Sequence, residues 1–181
     1  MKGKLVILSG PSGVGKDTLI NRWQQINPRI ERVIAYTTRA MRPGEREGFD
    51  YHFVDRETFM AKAHAGEFLE YKEVHGNMYA TPLHDMEALL ANGQIAILKI
   101  DVQGALLVME LRPEAISIFI EPPSWYELEE RIRGRQTDAE DMIAKRLRNA
   151  ADELALAERY QYQVINDDLD EAVDELEEIV S

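Results

Sequence analysis

Apolar and polar positions along the chain change period several times, and each change marks an element. Lys4–Ser9 (KLVILS) is a short apolar run, the pattern of a strand buried on both faces. From Lys16 to Ile26 the period lengthens, and Leu19, Ile20, Trp23 and Ile26 fall on one face of a helix. Val33–Tyr36 is the next expected strand. Asp55 has the place of an N-cap, before a helix closed by Gly66. Phe68–Val74 and Met78–Ala80 flank His75-Gly76-Asn77 and predict a hairpin. A helix over Pro82–Asn92, stopped by Gly93, leads to two more apolar strands, Ile95–Asp101 and Ile116–Ile120. Pro122-Pro123 ends the second of these, Ser124 caps a helix, and basic helical sequence runs on past Gly134. Gln163–Asn166 and Leu169–Val180 complete the series as a strand and a helix.

Strands alternating with helices predict an α/β fold, with a parallel five-stranded sheet flanked by helices. Two segments break the rhythm. Residues 35–81 are polar and strand-rich, and are expected to be an inserted mixed-β lobe for a substrate. Residues 124–151 are helical and basic, and are expected to be a lid. Residues 1–34, 82–123 and 152–181 then form the core.

Composition narrows this picture. A chain of 181 residues suits one domain and buries roughly 70% of its unfolded surface. It has no cysteine, so disulfides and thiolate metal sites are excluded. No run approaches the roughly 18 apolar residues of a membrane span, and a cytoplasmic location is the default expectation. The net charge of −12 argues against a general nucleic-acid backbone binder. The charge is uneven. Residues 161–181 carry eight acids and no base, the pattern of a solvated helix face. Between Arg131 and Arg148 there are six Lys or Arg.

Those cations acquire a purpose from GPSGVGKDT, Gly10–Thr18. Gly10, Pro11, Ser12, Gly13, Val14, Gly15 and Lys16 follow a buried strand and open an amphipathic helix, the setting of a phosphate-binding loop. Glycines let backbone N–H groups approach phosphate oxygens, and the helix adds its positive end. Lys16 supplies a point charge between the terminal phosphates. The position after Lys16 is ordinarily Ser or Thr, whose hydroxyl serves magnesium; here it is Asp17, followed by Thr18. Asp17, Thr18 and Asp101, the last at the C-terminal edge of an apolar strand, are the candidate oxygen donors for Mg2+ carried with ATP. Asp101 has an alternative role as the cap of a helix that begins at Val102.

The block TTRAMRPGEREGFDYHFV, together with GPSGVGK, FLEYKEVHGNMYATP, IDVQG and INDDLDEA, resembles the guanylate kinase family over nearly the whole chain. The resemblance implies ATP-dependent phosphorylation of GMP, and of dGMP, by direct in-line transfer. It implies that Arg39, Arg42, Tyr51 and Tyr79 hold the GMP phosphate, that Glu70 and Thr81 read guanine, and that Thr38 also belongs to the GMP site. It implies that Arg131, Arg135 and Arg146 close over the phosphates with Lys16 and Arg39 as catalytic cations, and that Asn166 lies beside adenine. ATP and GMP are then the partners, with no nucleic acid or membrane, and the protein is a monomer or homodimer.

Five positions depart from the family pattern. Ala35 stands for a Ser, Ala80 for a Gly, Gln136 for a Gly, Lys99 for an acid, and Asp17 for a Ser or Thr. Lys99 has three candidate partners: Glu70, Asp101 or a phosphate. Two other functions compete. A ribose 1,5-bisphosphate phosphokinase also tends to carry Gly-Lys-Asp-Ser, but lacks the guanine-reading lobe. A non-catalytic guanylate-kinase-like module that binds phosphopeptides usually lacks the loop lysine that Lys16 retains.

Overall fold

The structure is a computed structural model that describes residues 1–134 and 139–181. Nine strands and seven α-helices occur among the described residues. The larger sheet is built from β1 (Lys4–Ser9), β2 (Ile30–Arg32), β7 (Ile95–Lys99), β8 (Ile116–Glu121) and β9 (Tyr162–Ile165). Its order is β2-β7-β1-β8-β9, with every neighbouring pair parallel. The smaller sheet holds β3 (Tyr36–Thr37), β4 (His52–Phe53), β5 (Phe68–Val74) and β6 (Asn77–Pro82) in the order β4-β3-β6-β5. It is mixed: β3 runs parallel to β4, and β6 runs antiparallel to both β3 and β5.

Period-two alternation in β1 divides the core between the two faces of the larger sheet. Val6 and Leu8 pack with Leu19, Ile20 and Trp23 of α1 (Lys16–Ile26) and with Val173 and Leu176 of α7 (Leu169–Val180). Leu5 and Ile7 pack on the other face with Met86 of α3 (Leu83–Ala91) and with Val102, Ala105 and Val108 of α4 (Val102–Leu111). Each such fully buried aliphatic side chain stabilises the fold by about 1.5–3 kcal/mol. The acids of α7 lie on its outer face, as its sequence implies. Glu177 is the exception: it accepts hydrogen bonds from the Trp23 indole and from Asn27, tying α7 to α1.

The second strand differs from expectation. The strand beside β7 is Ile30–Arg32, the Val33 N–H adds one more bond to the Ile97 carbonyl at 3.0 Å, and residues 33–35 lead to β3, which begins at Tyr36. Val33 packs in the core under α3 and α4, whereas Tyr36 already packs with Phe59 and Phe68 in the second lobe. One apolar run therefore serves two cores in succession. Ala80, where the family pattern has Gly, fills part of the lobe core beside Phe59 and Met78.

In the lobe, Asp55 caps α2 (Arg56–His64) by accepting from the Thr58 N–H at 2.7 Å. His75 and Gly76 both have positive φ, 51° and 84°, which suits the tight β5–β6 turn. Ser124 caps α5 (Trp125–Arg133), which packs through Leu128 and Ile132 on Ile143 and Ala150 of α6 (Glu140–Leu154). No helix among the described residues is long and apolar enough to cross a membrane.

Candidate active site

The loop after β1 ends at the crevice between the two sheets. Gly10 crosses so close to β8 that a Cβ there would lie 2.6 Å from the Ile120 carbonyl oxygen. Gly15 has φ 94°, and a Cβ there would meet the Asn166 amide nitrogen at 2.8 Å. That amide is buried and donates to the Val14 carbonyl at 2.8 Å. Asn166, expected beside adenine, thus braces the loop backbone from behind.

Lys16 folds back over the loop, its ammonium donating to the Gly10 carbonyl. Burial pulls its pKa down from 10.5 to about 8, opposed by the Glu153 carboxylate and assisted by the Lys99 ammonium. Glu153 lies near the end of α6, and its own pKa is raised by burial. Residues of α5 and α6 also reach the loop. The Arg146 guanidinium donates to the Ser12 hydroxyl at 2.9 Å, and Arg131 makes a long contact of 3.4 Å with the Val14 carbonyl. Arg135 and Gln136 lie outside the described residues.

On the opposite wall, the Thr37 hydroxyl donates to the Met78 carbonyl at 3.0 Å, and the Thr38 hydroxyl accepts from the Met78 N–H at 2.9 Å. These bonds fix the start of the loop that carries Arg39. The Arg39 guanidinium forks onto both Glu45 oxygens at 2.8 Å and lies 5.3 Å from the Tyr51 ring centre. The Glu45 pair holds its pKa well above the usual arginine value, and Glu45 correspondingly falls. Tyr51 and Tyr79 meet edge-on at 6.0 Å. Burial raises the Tyr51 pKa, so it is a neutral O–H donor near pH 7. Arg42 is exposed at the rim, its backbone N–H on Glu45 at 2.7 Å. Ala35 offers its carbonyl to the His52 N–H at 2.8 Å, a backbone role that needs no Ser hydroxyl.

Deeper in the crevice, Glu70 is buried and accepts from the Thr81 hydroxyl at 2.9 Å. Burial raises its pKa, Thr81 lowers it, and the nearby Asp101 raises it further. Asp101 is the N-cap of α4, accepting from the Gln103 and Gly104 N–H groups at 3.2 Å each. The capping alternative is therefore the position it occupies. Gly104 has Asp101 and Glu70 carboxylate oxygens at 3.0 and 3.5 Å from where its Cβ would stand. A side chain there would crowd the Asp101 carboxylate first, so glycine leaves the two acids room at that corner.

Asp17 lies against two basic side chains. Its Oδ1 accepts from Lys99 at 2.7 Å and from Arg32 at 2.9 Å. In this fold its partners are two protein cations, and Lys99 pairs with neither Glu70 nor Asp101. The two cations hold the Asp17 carboxyl below its ordinary pKa against the effect of burial. Thr18 stands exposed in the first turn of α1. No cluster of three or more His, Asp or Glu poised to hold a metal occurs among the described residues. A few hard oxygens, Thr18 and Asp101, fit magnesium that arrives on nucleotide phosphates, since this ion commonly keeps its waters and needs few protein ligands.

The sequence pattern missed Arg32, Glu45 and Glu153. Glu45 had a local signal, an acid in a Pro-Gly turn six residues after Arg39. Arg32 and Glu153 had none, because their partners are distant in sequence.

The guanylate kinase family model matches residues 2–181. A guanylate kinase of Aromatoleum aromaticum is 46% identical over 180 residues, 99% of this chain and 88% of that protein. One of Hahella chejuensis is 46% identical over 178 residues, 98% of this chain and 86% of that one. The crystal structure of guanylate kinase from Anaplasma phagocytophilum superposes with TM-score 0.82 at 38% identity, covering 99% of this chain and 85% of that chain. The SH3-kinase fragment of tight junction protein 3, at 12% identity and TM-score 0.50, is alike in fold alone.

Proposed function

Since this chain belongs to the guanylate kinase family, we propose that its crevice transfers the γ-phosphoryl group of ATP to GMP, with dGMP as a second acceptor. The observation that carries this reading is the buried Glu70–Thr81 pair across from a loop bearing Lys16. Guanine offers a ring N–H and an exocyclic amine that one carboxylate accepts together, while Thr81 donates to the carbonyl. Adenine has no ring N–H at that position and carries its amine at C6 instead of beside it, so AMP would leave Glu70 buried without the paired donors that guanine brings.

Residues 35–81 bind GMP in this reading, with Arg39, Arg42, Tyr51 and Tyr79 on its phosphate and Thr38 holding the loop. Residues 10–18 cradle the ATP phosphates with Lys16, and the lid of residues 124–151 brings Arg131, Arg135 and Arg146 over them. An oxygen of the GMP phosphate attacks the γ-phosphorus in line, the new O–P bond forms, and ADP departs with the electrons of the broken one. The protein supplies position and positive charge and forms no covalent intermediate. Thr18 and Asp101 would be the oxygens nearest to magnesium carried with ATP, and the ion would neutralise phosphate charge. A coupled assay offering GMP, dGMP, AMP and ribose 1,5-bisphosphate with ATP tests this. GMP and dGMP are the expected acceptors, and turnover confined to either other substrate would overturn it.

Arg39→Ala and Arg42→Ala should each raise the KM for GMP while leaving basal ATP hydrolysis nearly unchanged. The Arg39 effect should be larger, because Glu45 and Tyr51 hold that fork in place whereas Arg42 lies at the rim. Steady-state rates at varied GMP, with ATP hydrolysis in its absence, measure both. Equal losses in the two activities would point to misfolding.

A further inference from the structure

Two of the five departures from the family pattern meet in space. Asp17 and Lys99 are 82 positions apart in sequence and 2.7 Å apart in the fold. Lys99 is the last residue of β7, level with Leu8 of β1, so its side chain leaves the sheet where the loop begins. Its ammonium lies 6.0 Å from the Tyr51 ring centre, on the wall assigned to the GMP phosphate. It is also close enough to Lys16 to disfavour that residue's positive charge. Two ammonium groups close together repel unless an anion lies between them, and Asp17 supplies a carboxylate to one of them.

Building on the guanylate kinase reading above, we propose that Lys99 is a further phosphate-contacting residue of the reaction, parked on Asp17 until GMP arrives. Asp17 is then a positioning residue that acts through Lys99, so the base at 99 and the acid at 17 form one coupled exchange. The chemistry of the corner supports this. Asp17 keeps Arg32 at 2.9 Å when Lys99 leaves, so departure does not strand a lone carboxylate. A lysine stem is long and flexible, and a phosphate dianion is a stronger partner for ammonium than a carboxylate already shared with Arg32. Lys99 is about one-quarter exposed, so it needs no unpacking to swing.

The test is a double-mutant cycle of wild type, Lys99→Met, Asp17→Ser and the double variant, with Lys99→Arg alongside. Lys99→Met should lower kcat/KM for GMP by roughly 10- to 100-fold, the scale of one charge-assisted hydrogen bond. GMP affinity measured by calorimetry without metal or ATP should fall with it, and Lys99→Arg should recover most of both. Asp17→Ser removes the carboxylate that competes with the phosphate for Lys99, so it should lower the KM for GMP several-fold in the wild-type background and do nothing further in the Lys99→Met background. Rates are taken per folded molecule, with melts on every variant. Wild-type GMP affinity in Lys99→Met, with only its melting temperature lowered, would reduce the pair to a structural ion pair and overturn the proposal. An Asp17→Ser effect of the same size in the Lys99→Met background would show Asp17 acting independently of Lys99 and overturn the exchange. A wild-type protein that fails to phosphorylate GMP would instead remove the underlying reading, which the cycle itself leaves untouched.

Discussion

Lys16→Ala is expected to lower kcat by about 10²–10³ or more, the scale on which one preorganised donor to developing charge contributes. The same substitution should not lower stability near neutral pH, and that combination makes it informative. Lys16 is held in a desolvated place with its pKa drawn from 10.5 to about 8. Between those values the unfolded chain binds more protons at this site than the folded one. Stability contributed by the site therefore rises as pH increases from about 8 toward 10.5, and below 8 the charged side chain is a burden on the fold. Alanine removes that burden. Rates and melts of the two proteins at pH 7 and pH 9.5 measure both effects, and the melting temperature of wild type should rise relative to that of the variant toward the higher pH. The free wild-type enzyme should also show an alkaline limb in kcat/KM for ATP near pH 8, where Lys16 loses its proton. An inactive variant that melts well below wild type would mean that Lys16 is a packing residue first.

Glu70→Gln is the second large effect. The amide accepts at one atom and donates at the other, so it opposes one of guanine's two donors. The expected loss is about 1–3 kcal/mol in kcat/KM for GMP, the cost of an unsatisfied buried group. ATP binding should change little, because the loop that holds it is built from other elements. The pH behaviour has a definite sign. Burial raises the Glu70 pKa above 4.5, so the folded state holds a proton that the unfolded state releases. The site's contribution to stability is present below 4.5 and is lost as pH rises through the raised value. The Gln variant lacks this loss, so its melting temperature should fall less steeply than that of wild type over the same interval. GMP kinetics at pH 7 and melts from pH 4 to 7 give both quantities. Unchanged GMP kinetics would make Glu70 a strand residue with no part in recognition.

What the sequence made legible was local. The strand, glycine loop and helix from Lys4 to Ile26 could be read because each signal lies within a few residues of the next. The caps at Asp55 and Ser124 were legible for the same reason. Asp101 was ambiguous, since the residue that ends a strand and the residue that caps the next helix are one position here. The second strand was misplaced because apolar character at Val33–Tyr36 records burial without recording which sheet supplies it. The Asp17–Lys99 pair was out of reach, because parallel pairing of β1 with β7 brings them together and no short window contains both. Glu70 was recognisable only through family resemblance. An isolated strand glutamate carries no local sign that the Thr81 hydroxyl and the α4 N-terminus will enclose it.

The chain has two tryptophans, and the fold gives them different surroundings. Trp23 is fully buried between α1 and the larger sheet, with its indole on Glu177, whereas Trp125 opens α5 and is 41% exposed. Intrinsic fluorescence therefore has two separable channels. A neutral collisional quencher such as acrylamide reaches Trp125 and is shut out from Trp23 until the protein unfolds. With a Trp23→Phe variant isolating the outer indole, a change in quenching on adding nucleotides would report movement at the start of α5 without any attached dye. With Trp125→Phe, the remaining emission would follow the melting of the core.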